Sequence, residues 1–91
     1  MIDKQTAVER ELIVGKRYNT PDERAFLYDL ARQAPNGVAV ELGVLFGGSF
    51  VSWTPAREGR GEIVAVDSWV NGVNAIPNVE AGFRKNCEHF G

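Results

Sequence analysis

Cys87 is the only cysteine among the 91 residues of the chain, so no internal disulfide can form. A small domain without such staples is expected in a reducing, cytoplasmic setting. No apolar run approaches the ~20 residues of a membrane-spanning helix. The opening segment, Met1-Ile-Asp-Lys-Gln-Thr6, lacks the apolar core of a secretory signal. Both absences speak against a membrane partner. There is no block of Lys and Arg either; the densest basic spots, Lys16-Arg17 and Arg84-Lys85, read as solvated helix ends. A net charge of −2 and a pI near 5.3 give no electrostatic footprint for nucleic acid. Internal repeats and low-complexity tracts are also missing.

What is present suits one small globular domain. The hydrophobic fraction is 44%, which is enough for an ordinary core. A chain this short buries only about 60–65% of its unfolded surface, so marginal stability is expected.

The spacing predicts a short helix over Thr6–Ile13, with Val8 and Leu12 on one side and Gly15 ending it. A second helix has a stronger start signal. Thr20 is a candidate N-cap, Pro21 takes the first helical position, and Glu23 stands three residues after Thr20. Together they spell a capping box. Phe26, Leu27, Leu30, Ala31 and Ala34 then recur at helical spacing and predict a buried stripe, which Pro35-Asn36-Gly37 terminates. Tyr18 and Tyr28 fit no partner pattern.

Val38-Ala-Val-Glu-Leu42 is short, β-branched and followed by glycine. Such runs are typical of strands buried on both faces of a parallel sheet. A helix from about Gly48 to Arg57 is expected next, kinked or ended near Thr54 by Pro55. Glu62–Asp67 reads as a second strand. The connection between the strands is long enough for a helix, which favours a right-handed βαβ crossover. Asn71-Gly72 to Pro77-Asn78 reads as a polar loop, and a last helix is expected from Asn78 to His89 with Val79, Phe83, Cys87 and Phe90 on its apolar face. The expected fold class is α/β: a Rossmann-like βαβ unit with preceding helices, an incomplete doubly wound parallel sheet. Residues 1–19 would be an N-terminal helix and linker, and residues 20–91 the cofactor-binding domain. Two parallel strands leave both sheet edges open.

The chemistry-bearing segment is Glu41-Leu-Gly-Val-Leu-Phe-Gly-Gly-Ser49. Gly43 lets the backbone approach a ligand closely and take a positive φ. Gly47 and Gly48 bracket a helix start whose N–H groups suit a phosphate or a carboxylate. Ser49 offers a cap or a hydroxyl donor. Asp67 lies 24 residues after Gly43, near the ~20-residue offset at which an acidic side chain accepts from ribose hydroxyls. Glu41 is a carboxylate near the end of an apolar strand, costly unless paired, and suited to a ligand ammonium taken directly or through water. A Walker A loop is excluded because no lysine follows Gly48, and the dinucleotide form G-x-G-x-x-G is broken by Leu45.

The spelling E-x-G-x-x-x-G-x-S, followed by Ile63-Val-Ala-Val-Asp-Ser-Trp69, resembles the class I S-adenosylmethionine-dependent methyltransferases. Within them it is most similar to small-molecule O-methyltransferases. The helix Glu23–Arg32 also looks like the segment those enzymes place before their first strand. The resemblance spans roughly Thr20 to Gly91 and implies S-adenosylmethionine as cofactor and a small-molecule methyl acceptor as partner. It places Glu41 and Gly43 beside the methionine part of the cofactor. Phe46, Gly47, Gly48 and Ser49 would surround its carboxylate, Asp67 would bind the ribose hydroxyls, and Ser68 and Trp69 would flank ribose and adenine. In that family the catalytic or metal-binding residues and the acceptor pocket follow the third and fourth strands. The chain is therefore expected to supply an N-terminal, cofactor-binding portion with no catalytic residue and no metal ligand. It would be completed by further chain or by a homo-oligomer partner. The alternative is a non-catalytic module that pairs its sheet edges with another subunit.

Plainer readings stand beside these. The glycine turn fits an unliganded βα connection, and Asp67 alone fits a strand-end cap. Trp53 and Trp69 fit core aromatics, His89 a solvated side chain, and Cys87 a small core residue.

Overall fold

The computed structural model describes residues 2–69 and 78–91. Its elements run α1 (Lys4–Val8), α2 (Pro21–Gln33), β1 (Ala39–Leu42), α3 (Phe50–Trp53), a 3-10 turn (Thr54–Arg57), β2 (Ile63–Val66) and α4 (Val79–Phe90). The two strands pair in parallel, with Ala39 opposite Ile63 and Leu42 opposite Val66. The fold is therefore a mixed helix/strand arrangement with a two-stranded parallel sheet, consistent with the α/β class. The expected loop from Asn71 to Pro77 lies outside the described residues.

Local sequence explains most element ends. Thr20 Oγ1 accepts from the Glu23 N–H at 3.2 Å, while Glu23 Oε1 accepts from the Thr20 N–H at 2.8 Å, closing the capping box over Pro21. Pro55 cannot continue an α-helix, and α3 passes at Thr54 into the 3-10 turn.

The first helix departs from expectation. It begins at Lys4, capped by Asp3, whose side chain accepts from the Thr6 N–H, and it ends at Val8 rather than running over Thr6–Ile13. The reason lies far along the chain. The Ile13 and Val14 N–H groups both donate to Asn86 Oδ1, so their hydrogen bonds go to α4 instead of to a helix.

The buried face of α2 also differs. Phe26 is 63% exposed and Leu30 49%, whereas Arg24 and Tyr28 are buried. Arg24 tolerates burial because its Nε donates to the Val8 carbonyl and its Nη1 to the Asn19 carbonyl. Tyr28, which fits no pattern in the sequence, packs with Ala7, Val8 and Ala56 in one core cluster.

Among the described residues the strands are covered mainly on one face, with Val64 half-buried on the other. Ala39, Glu41, Ile63 and Ala65 share the face that meets α3, as period-two alternation and the register require. On the other face Val40 is 52% exposed and Leu42 76%, against the expectation of strands buried on both sides. Helix α4 lies on the α3 side: Phe83 meets Phe50 edge-on at 5.3 Å. From α4, buried Asn86 bridges the Val14 and Phe46 carbonyls with its amide.

Candidate functional site

The glycine turn and the acidic end of β2 come together at the carboxyl end of the sheet. The pairing continues one residue past β1, with the Gly43 N–H donating to the Val66 carbonyl at 2.7 Å. Asp67 then reaches across: its Oδ2 accepts from the Leu45 N–H at 2.9 Å and its Oδ1 from the Trp69 N–H at 2.8 Å. The backbone donors, that of Leu45 first, hold the Asp67 carboxyl below its ordinary pKa. Gly43 has φ 76°, and the space a side chain would take there is open. The exposed lip of the site is thus Gly43, Leu45 with φ 48°, and the partly exposed Asp67 carboxylate. Ser68 is exposed, and Trp69, at φ 61°, is half-buried with its ring 5.5 Å from Phe83.

Glu41 points the other way, beneath the turn. Its Oε1 accepts from Ser49 Oγ at 2.8 Å and from Trp53 Nε1 at 2.8 Å. Its Oε2 is buried with no hydrogen-bond partner among the described residues. Burial raises the Glu41 pKa, and the Ser49 and Trp53 bonds oppose that rise without cancelling it. Ser49 occupies the N-cap position of α3 but caps nothing; its hydroxyl goes to Glu41.

Phe46, Gly47 and Gly48 face inward. The Phe46 ring is buried over Gly15 and Gly82. A methyl group on Gly47 would come within 2.9 Å of the Phe83 ring, and one on Gly48 within 3.0 Å of Arg17 Cα. These two glycines serve close packing of α4 and of the Lys16-Arg17 segment on the turn. Of the sequence-predicted residues, then, Glu41 and Ser49 meet directly, as do Asp67 and the turn backbone, while Phe46, Gly47 and Gly48 form the inner wall.

In the sequence Trp53 reads as a core aromatic. It is buried, and its indole N–H is also one of the two donors that hold Glu41. Its spacing of twelve residues from Glu41 carries no motif, so only the fold reveals the pair. No group of three or more potential metal ligands forms among the described residues, and no described helix is long and apolar enough to cross a membrane. No protein-family model, curated protein or solved structure matches the chain.

Proposed function

We propose that the chain is the Rossmann-like, S-adenosylmethionine-binding part of a class I methyltransferase acting on a small-molecule oxygen or nitrogen. The observation that carries this reading is the bond between Asp67 Oδ2 and the Leu45 N–H. It joins the two halves of the sequence motif at the carboxyl ends of parallel strands, where open α/β sheets take their ligands.

The residues present fit the group in part. Gly43 leaves open space beside the turn, and the Asp67 carboxylate beside it stays partly exposed. The Glu41 Oε2 atom is a buried acceptor in need of a donor, which the cofactor ammonium would supply directly or through water. Gly47 and Gly48 fit less well, because Phe83 and Arg17 already fill the space beside them. Asp67 would position the ribose, and Glu41 and Gly43 the methionine moiety. The sulfonium of the cofactor supplies an electrophilic methyl group. The acceptor and the base that activates it would be held by further chain or a partner subunit.

Calorimetric titration with S-adenosylhomocysteine tests this reading. Saturable heat at submillimolar ligand is expected, weakened about tenfold by Asp67→Ala, the worth of a lost charge-assisted hydrogen bond. A folded sample that gives no heat at millimolar ligand overturns binding by this chain.

The exposed outer sheet face, with Val38, Val40, Leu42 and Val66, favours a second reading: a module completed by another subunit. Sedimentation separates the two, since a ligand-free monomer at high concentration counts against the module.

A further inference from the structure

A second candidate ligand site lies away from the glycine turn. A cavity of about 550 Å³ opens between the start of the chain, α3 with its 3-10 extension, the first residue of β2 and the last turn of α4. None of the residues assigned to the cofactor lines it. Phe50, Val51, Ile63 and Phe90 make its walls apolar, and no Asp or Glu contributes to the lining.

One cation breaks that lining. Arg10 is half-buried; its Nη1 donates to the Val51 carbonyl at 3.0 Å, and its guanidinium carbon lies 4.6 Å from the Phe90 ring centroid. A guanidinium has five donors, and among the described residues only this one bond and the ring contact are made. None of the ion pairs among the described residues includes it. Burial lowers its pKa, and no anion among the described residues offsets the lost hydration. Arg24 and Arg57, by contrast, each bond to two or more backbone carbonyls.

We propose that this cavity binds a small carboxylic acid with an apolar body, its carboxylate on Arg10 and its body against Phe50, Ile63 and Phe90. The free donors of a planar guanidinium match a carboxylate in bidentate fashion. A single cation in apolar walls suits one negative charge better than a phosphate, which carries up to two. The volume falls within the ~300–1,000 Å³ range of small-molecule sites.

Cys87 lines the same cavity and is the only thiol in the chain, which makes it a built-in reporter. The test is the rate of Cys87 alkylation by iodoacetamide in the full chain, with 4-phenylbutyrate as probe and 4-phenylbutanol as neutral control. Saturating 4-phenylbutyrate is expected to slow alkylation at least fivefold, the alcohol to need about tenfold higher concentration, and Arg10→Gln to erase that difference. Arg10→Lys, which keeps the charge, should restore part of the preference, and circular dichroism confirms that each variant is folded. S-adenosylhomocysteine should leave the alkylation rate unchanged, so the proposal stands or falls independently of the cofactor site. Equal protection by acid and alcohol, or none by the acid at millimolar concentration, overturns it.

Discussion

Glu41 and Asp67 are carboxylates near the carboxyl ends of adjacent parallel strands, and their environments push them in opposite directions. Asp67 accepts from two backbone N–H groups at a partly exposed rim, and its pKa is lowered. Glu41 accepts from two side chains beneath the turn, keeps one oxygen buried without a partner, and its pKa is raised. Glu41 has two donors, whereas the backbone N–H groups of Val44 and Ser68 add to those of Leu45 and Trp69 around Asp67. Burial separates them further: it is the largest influence on Glu41, which keeps a buried oxygen, and is outweighed at the partly exposed Asp67. The rim carboxylate ties the turn to β2, while the inner one strains the structure it braces.

The largest effect on this contrast is expected from Trp53→Phe. The ring volume is largely kept and the donor to a buried carboxylate is lost, which should cost about 2 kcal/mol near neutral pH. Denaturant unfolding measures it, and the cost should shrink in acid, where a protonated Glu41 needs its donors less. Glu41→Gln should act with the opposite sign and stabilise by about 1 kcal/mol at about pH 8, because the buried charge is gone. The raised pKa of Glu41 means that its stabilising, protonated form is fully present below the unfolded pKa and is lost as pH rises through the folded value. The gain from Gln should therefore fade toward about pH 4. A gain independent of pH would show that the Glu41 charge is not the source of strain. Asp67→Asn should have the smallest effect, a loss of about 1 kcal/mol, since an amide oxygen replaces only one of two acceptors at a half-exposed site. Its lowered pKa reverses the pH dependence: the contribution is present above the unfolded pKa and is lost as pH falls through the folded one. Unfolding curves for this variant should converge on those of the parent in acid.

The parts of the fold legible in the sequence are those set by neighbours along the chain. Thr20, Pro21 and Glu23 specify a helix start within four positions, and Pro55 limits α3 within one turn. The apolar runs at Val38–Leu42 and Ile63–Val66 give the strands, and Asp67 follows the second of them to bond the turn. Illegible are the features made by distant partners. Asn86 takes the Ile13 and Val14 N–H groups across more than seventy residues, which ends the helical pattern that Val8 and Leu12 suggest. Arg24 buries because carbonyls of Val8 and Asn19 await it, and this turns Phe26 and Leu30 outward. At the site, the acidic residues and the glycines are visible in the sequence. That Gly47 and Gly48 would be taken up by Phe83 and Arg17 is not, because periodicity does not say which neighbour arrives at a glycine.

Arg57 has a consequence for how the molecule opens. Its two terminal nitrogens reach five backbone carbonyls, those of Ala31, Ala34, Pro35, Gly37 and Arg60. Those oxygens belong to the end of α2, the turn into β1 and the loop before β2, three segments that make few regular bonds with one another. A guanidinium that is 2% exposed sheds its hydration only when all of these acceptors are in place. Partial assembly of this corner would leave a buried cation short of donors' partners, so its intermediate states are the costly ones. The end of α2 and the entries to both strands should accordingly exchange their amide hydrogens as a single cooperative unit, locked by the Arg57 side chain together with that of Arg60, which reaches the Ala31, Arg32 and Ala34 carbonyls, where a longer sheet would use a ladder.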